Sequence, residues 1–275
     1  MNILAPLTTA FHFKQLAEIP VQLYSTYPDG AVVILLPALG VPVAKYDLFI
    51  QQLLSVNIQV ITADYPGCGQ NRPEVSRTFD YGYADLLNFF IPELYKAACS
   101  VSSRPPVLLG HSLGGHLATL YAQQHAVQVI GIATGNIGLK YWDLKGKFNI
   151  LKAAAAINTM ILKDGYLAGY KIGFGYKEAR TLMRDWSRTI FTAGYQHITG
   201  TINTLSPEQA LFIHLNQDDF APLSSMLGLS RYFQNPQVIS LDLSRTVKGH
   251  QHSAWIKQPA EVVRTVQTWL NQLQK

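Results

Sequence analysis

Apolar positions along this chain fall into two rhythms. Short β-branched or continuously apolar runs predict strands: Ala31–Leu36 (AVVILL), Ile58–Thr62 (IQVIT), Val107–Leu109, Val127–Ala133, Leu211–Leu215 and Val238–Leu243. Between them, Val43–Leu54, Phe79–Ala98, Leu113–His125 and Val262–Leu273 repeat apolar residues at helical spacing, and Pro92 predicts a kink in the second of these. A run that is apolar at every position suits a strand covered on both faces. The succession therefore predicts an α/β fold, with an open, mostly parallel, doubly wound sheet and helices on both faces. The alternation stops between Asn136 and Gly200, a helical and aromatic stretch with no clear strand. An insertion of that length exceeds ordinary loops and predicts a helical cap. The expected organisation is a core of residues 1–135 and 201–275, with residues 136–200 as the cap.

Composition narrows this picture. Of 275 residues 48% are hydrophobic and only 14% charged, which excludes a largely disordered chain and leaves ample material for a core. Two cysteines, Cys68 and Cys99, are too few for a disulfide scaffold and show no metal-ligand spacing, so free thiols are expected. The most apolar run, Ala31–Ala44, is interrupted by Pro37, Gly40 and Pro42 and is shorter than the roughly 20 residues a bilayer helix needs. The opening MNILAPLTTAFHFK has no basic segment before its apolar residues, which predicts no secretory leader and a cytoplasmic protein without stable membrane insertion.

The strongest chemical signal is Gly110-His111-Ser112-Leu113-Gly114-Gly115, placed directly after a predicted strand and directly before a predicted helix. A serine at the apex of a sharp strand-to-helix turn needs small neighbours two residues to either side, because the backbone passes close to itself. Such a turn presents Oγ at the edge of the sheet. The bland alternative is a tight glycine turn with an inert hydroxyl.

With this motif in this context the chain resembles the α/β-hydrolase superfamily of serine-nucleophile type, over nearly its whole length. Leu36-Pro37-Ala38-Leu39-Gly40 stands where that family has a His-Gly oxyanion turn, and Asp64-Tyr65-Pro66-Gly67-Cys68-Gly69 is similar to its Asp-x-Arg-Gly-x-Gly loop. The pieces MRDWSR and GHQHSAW resemble a bacterial group of predicted α/β-hydrolases. The resemblance implies the order Ser, Asp or Glu, His along the chain. An imidazole must take the serine proton, and a carboxylate must orient that imidazole. After the strand ALFIHL, the family's Asp four residues before a Pro selects Asp218, with Asp219 as the alternative. In Lys248-Gly249-His250-Gln251-His252 the family's Gly-His pattern selects His250, with His252 as the alternative. The backbone N–H groups of Leu39 and Leu113 are the implied oxyanion hole.

These features point to a serine hydrolase acting on an ester, thioester or amide through an acyl-enzyme. Carbon–carbon bond hydrolysis or a lyase reaction on the same triad, and a non-catalytic ligand-binding member of the fold, are the competing readings. Dehalogenase-like chemistry calls for an acidic nucleophile where Ser112 stands. No phosphate loop, metal motif or nucleic-acid-reading motif occurs, so no metal, no cofactor and no nucleic-acid partner is expected. Among the aromatics of residues 136–200, Trp142, Tyr166 and Trp186 are the candidates to line an apolar acyl or aromatic slot for a small-molecule substrate.

The formal net charge is +5, and it is unevenly placed. Residues 136–200 carry ten basic and four acidic side chains, so the remainder of the chain is close to neutral. Three readings follow: an anionic substrate, docking at an anionic lipid surface, or a solvated face.

Overall fold

The computed structural model describes residues 6–25, 30–201 and 204–273. The start of the N-terminal segment, residues 1–5, on which the expectation of no leader partly rests, lies outside them. β1 (Leu7–Phe13) and β2 (Ala17–Tyr24) form a hairpin, followed by β3 (Ala31–Leu36), α1 (Asp47–Ser55) and β4 (Ile58–Thr62). Next come α2 (Tyr83–Asp85), α3 (Ile91–Val101), β5 (Val107–His111), α4 (Leu113–Tyr121) and β6 (Val129–Ile132). Residues 136–200 contain α5 (Leu144–Asp164), β7 (Leu167–Ala168), β8 (Lys177–Glu178), α6 (Arg180–Thr192) and α7 (Gln196–Thr199). β9 (Ala210–Leu215), α8 (Leu223–Ser230), β10 (Pro236–Leu241), α9 (Gln251–Ala254) and α10 (Ala260–Gln272) follow.

Eight strands make one sheet in the order β1-β2-β4-β3-β5-β6-β9-β10. From β4 to β10 every neighbouring pair is parallel, while the β1–β2 and β2–β4 pairs are antiparallel. The two-residue period of a strand sends alternate side chains to opposite faces. In β3, Val32, Ile34 and Leu36 join Leu94 and Leu117 on one face, and Val33 and Leu35 join Phe49, Val266 and Trp269 on the other. Both faces are thus covered, as the unbroken apolar runs require.

Three local readings are corrected. The expected helix Phe79–Ala98 is α2, a π-helical turn over Leu86–Phe90, and α3. Pro92 has no N–H to return to the Asn88 carbonyl, and its ring crowds that carbonyl, so the turn before it widens. The strand expected at Val238–Leu243 lies two residues earlier, its Pro236 tolerated because β10 is an edge strand. Residues 136–200 do contain strands, the short antiparallel pair β7–β8.

The inserted stretch has its own packing. Asp143 caps α5 by accepting from the Gly146 N–H at 2.7 Å, and Gly165, at φ 82°, ends it. Ile150 and Ala154 of α5 pack on Ile190 of α6, and Ile157 and Ile161 pack on Leu167 and Met183. Asp80 ties the insert to the core, accepting from Arg180 at 3.0 Å and from the Thr181 N–H at 2.9 Å. Among the described residues no helix is long and apolar enough to cross a membrane.

Candidate active site

Ser112 sits between β5 and α4 with φ 52° and ψ −112°, a conformation that L residues rarely adopt. The glycines around it make that turn possible. A Cβ on Gly110 would collide with the Gly114 carbonyl, and one on Gly114 would collide with the Leu36 carbonyl of β3. The neighbouring backbones therefore close on one another, and the hydroxyl is left at the C-terminal edge of the sheet, where a doubly wound fold places its ligands.

The loops after β9 and β10 bring two partners to it. His252 Nε2 lies 2.9 Å from Ser112 Oγ, and His252 Nδ1 lies 2.9 Å from Asp218 Oδ2 and 3.1 Å from Oδ1. Because a carboxylate only accepts, Nδ1 carries the hydrogen and Nε2 faces the serine as the acceptor. Asp218 also accepts from the N–H groups of Phe220 and Ala221 at 2.9 and 3.1 Å. Burial alone would raise the Asp218 carboxyl, but the His252 contact and those two N–H groups more than offset it and hold it below its ordinary value.

The structure brings His252, the alternative, and not His250 to Ser112 and Asp218. His250 is exposed, lies against the Phe220 ring at a centroid distance of 4.5 Å, and bonds neither Ser112 nor Asp218. The physical reason is helical phase. Gly249 turns the chain at φ 107°, His250 is the N-cap of α9, and His252 is its second residue. Residues two apart on a helix point about 200° apart, so only one of the pair can face Asp218. Asp219 is exposed and makes no hydrogen bond to His252, whereas Asp218 is buried and bonds it.

The two histidines that flank the serine turn make hydrogen bonds of their own. His111 is fully buried and bridges the turn before α1 to α9: its Nδ1 is 2.7 Å from Tyr46 Oη and its Nε2 is 2.8 Å from the His252 carbonyl. A carbonyl only accepts, so His111 donates from Nε2 and takes the Tyr46 hydroxyl hydrogen at Nδ1. Burial pushes its pKa down to about 3, with the neighbouring His252 adding to the effect. His116 donates Nε2–H to the Gly135 carbonyl at 2.7 Å, faces Tyr83 Oη at 3.2 Å, and is pushed down to about 4, chiefly by burial.

The turn that replaces the family's His-Gly is braced by buried tyrosines. The Ala38 N–H donates to Tyr46 Oη at 2.9 Å, and Tyr65 Oη donates to the Pro37 carbonyl at 2.9 Å. The left-handed residue of this turn is Gly40, at φ 65°, so Ala38 needs no unusual backbone. Leu39 and Leu113 both border the space in front of Ser112. As the first residue of α4, Leu113 has no carbonyl one turn back to which its N–H could bond.

Residues 33–265 match the family model described as the alpha/beta hydrolase family. The chain belongs to that family. No curated protein matches this alpha/beta hydrolase. Among solved structures it is similar to a soluble variant of the Saccharomyces cerevisiae monoglyceride lipase in complex with a substrate analogue (TM-score 0.70, 15% identity, 99% of this chain and 97% of that one). It is similar also to a Bradyrhizobium elkanii haloalkane dehalogenase variant (TM-score 0.67, 15% identity, 98% and 97% covered). A carboxylesterase from Nitrososphaera gargenis has a TM-score of 0.66 at 15% identity, with 97% and 99% covered. At these identities the likeness is one of fold.

In this alpha/beta hydrolase Ser112 opens into a cavity of about 240 Å³ bordered by Leu39, Leu113, His116, Leu182, Trp186 and Phe220. An outer groove of about 350 Å³ adjoins it and shares the walls Ile137, Phe174, Trp186 and Phe220. Of the three aromatics expected at the slot, Trp186 borders both spaces, Trp142 only the outer groove, and Tyr166 neither. Tyr166 lies instead beside the Lys177 ammonium, 5.7 Å from its ring centre. A larger hollow of about 610 Å³ lies at the opposite ends of the strands, bounded by Ala31, Val107 and Leu270, far from any of this chemistry. Among the described residues no group of His, Cys, Asp and Glu is placed to hold a metal ion.

Proposed function

We propose that this chain is a serine hydrolase that cleaves small esters with an apolar arm through an acyl-enzyme on Ser112. The observation that carries the reading is the continuous line from Ser112 Oγ to His252 Nε2 at 2.9 Å and from His252 Nδ1 to Asp218 at 2.9 Å, opening into a lined cavity. In the first step His252 Nε2 accepts the Ser112 proton as Oγ attacks the ester carbonyl. Asp218, held as a carboxylate, keeps the imidazole in the required tautomer and stabilises the imidazolium that forms. The Leu39 and Leu113 N–H groups receive the oxyanion, each such donor being worth about 10²–10³ in rate. His252 returns the proton to the leaving alcohol. Water, activated by the same imidazole, then releases the acid and restores Ser112.

The walls support the substrate class. The inner cavity alone is below the ~300–1,000 Å³ usual for small-molecule sites, and the outer groove extends it along an apolar surface of Ile150, Ile157, Phe174 and Trp186. Residues 136–200 supply most of that surface and act as a cap.

A fluorophosphonate followed by peptide mass analysis tests the reading. The expected result is a single adduct on Ser112 and ester hydrolysis that Ser112→Ala abolishes. An unlabelled Ser112 in folded protein, or unchanged turnover by Ser112→Ala, contradicts it.

A further inference from the structure

Helix α5 has two sides that the fold uses and one that it does not. Ile150, Ala154, Ile157 and Ile161 are buried, and Gly146, Asn149 and Ala153 border the outer groove. The remaining side carries Leu144, Phe148, Leu151, Ala155 and Leu162. At 100° per residue these five lie within about 60° of one another, a stripe roughly 27 Å long. Leu144 is 85% exposed, Phe148 69% and Leu162 77%. Single exposed apolar side chains are ordinary, but an aligned row of them on one helix is a contact surface.

Charge identifies what it contacts. Lys145, Lys152 and Lys163 form a second row about 90° round the axis, and Lys147 flanks the stripe on its other side. Among the described residues none of these four lysines has an ion-pair partner. The nearby acids are used at the helix ends: Asp143 is the cap, and Asp164 pairs with Lys171 at 2.7 Å. A second copy packed stripe to stripe would set lysine rows against lysine rows, whereas paired helices flank their seams with opposite charges. An anionic lipid surface satisfies both features at once, taking apolar side chains at the headgroup boundary and ammonium groups at its phosphates.

We propose that the outer face of α5 docks the protein peripherally on anionic lipid surfaces. This stands apart from the hydrolytic reading, since none of the stripe or lysine residues borders the Ser112 cavity.

Co-sedimentation of the full chain with vesicles tests it, using phosphatidylcholine alone and phosphatidylcholine mixed with phosphatidylglycerol. The expected result is binding to the mixed vesicles only, weakening as salt is raised. Phe148→Ser should lower the partition coefficient about tenfold. Replacing Lys145, Lys152 and Lys163 together by Gln should lower it about a hundredfold, at about fivefold per lysine. Both variants change exposed positions and should hydrolyse a soluble short-chain ester as the parent does. No binding, equal binding to the two vesicle types, or undiminished binding by Phe148→Ser overturns the proposal. A dimer in sedimentation equilibrium that Phe148→Ser dissociates also overturns it and assigns the face to a second copy.

Discussion

At the scale of single residues, His111 braces the proposed Ser112–His252–Asp218 site as a buried linker between two segments. Its ring joins Tyr46, which holds the Ala38 N–H of the turn after β3, to the His252 backbone carbonyl. One imidazole thus links the turn proposed to receive the oxyanion to the residue proposed to move the proton. His111→Leu keeps most of the volume but leaves the buried Tyr46 hydroxyl hydrogen without its acceptor and the His252 carbonyl without its imidazole donor, each loss worth about 1–3 kcal/mol. The expected outcome is lower thermal stability and a kcat reduced about a hundredfold with little change in KM, because small misplacements of catalytic groups cost that much. His111→Gln, which keeps a donor, should recover part of the loss. The same residue makes stability acid-sensitive. Unfolded, a histidine binds its proton near pH 6.5, but folded His111 does so only near 3 and His116 only near 4. The unfolded chain therefore holds more protons in that window, and stability falls as pH drops through it. Tm measured from pH 7 to pH 4 should fall less steeply for His111→Gln than for the parent.

Between elements, the seam of the insert against the core holds a carboxyl group with an opposite pH signature. Glu178 of β8 is buried, accepts the Tyr176 N–H at 2.8 Å and lies against Gly40. Burial pushes its pKa up to about 7, with the Tyr176 N–H opposing. The folded chain then holds a proton that the unfolded chain loses near pH 4.5, so stability falls as pH rises through that interval. Glu178→Gln keeps an acceptor for Tyr176 and removes the titration. Its Tm should match the parent near pH 5 and exceed it at pH 8, where the underlying gain in unfolding free energy is at most about 3 kcal/mol. What the sequence reveals of these elements follows burial. β3, β4, β5 and β9 are buried along nearly all their length and announce themselves by short, mainly apolar runs, β3 being apolar at every position. The β1–β2 hairpin has no such signal, because β1 is mostly exposed and β2 alternates and contains Pro20. β7 and β8 are two residues each, too short for any period. His250 and His252 differ only in where the turn at Gly249 gives way to α9, and helix phase at that boundary is invisible in a Gly-His pattern.

The whole molecule assembles its site from segments far apart in sequence, meeting because β5, β9 and β10 end at one edge of a single sheet. Ser112 and His252 are 140 residues apart and Asp218 and His252 are 34 apart. In the proposed reading, residues 136–200 cover that edge and extend the site along the outer groove. Ala153→Trp, at the border of that groove, should lower kcat/KM for long-chain esters at least tenfold while leaving acetate esters unchanged; equal loss for both would detach the groove from substrate binding. The central claim is that His252 moves the proton of Ser112. It is tested most directly by kcat/KM for one activated short-chain ester, measured side by side for His252→Ala and His250→Ala. The expected result is a loss of about 10³–10⁴-fold or more for His252→Ala and a change of only a few-fold for His250→Ala. Severe loss in His250→Ala with near-normal turnover in His252→Ala would contradict it.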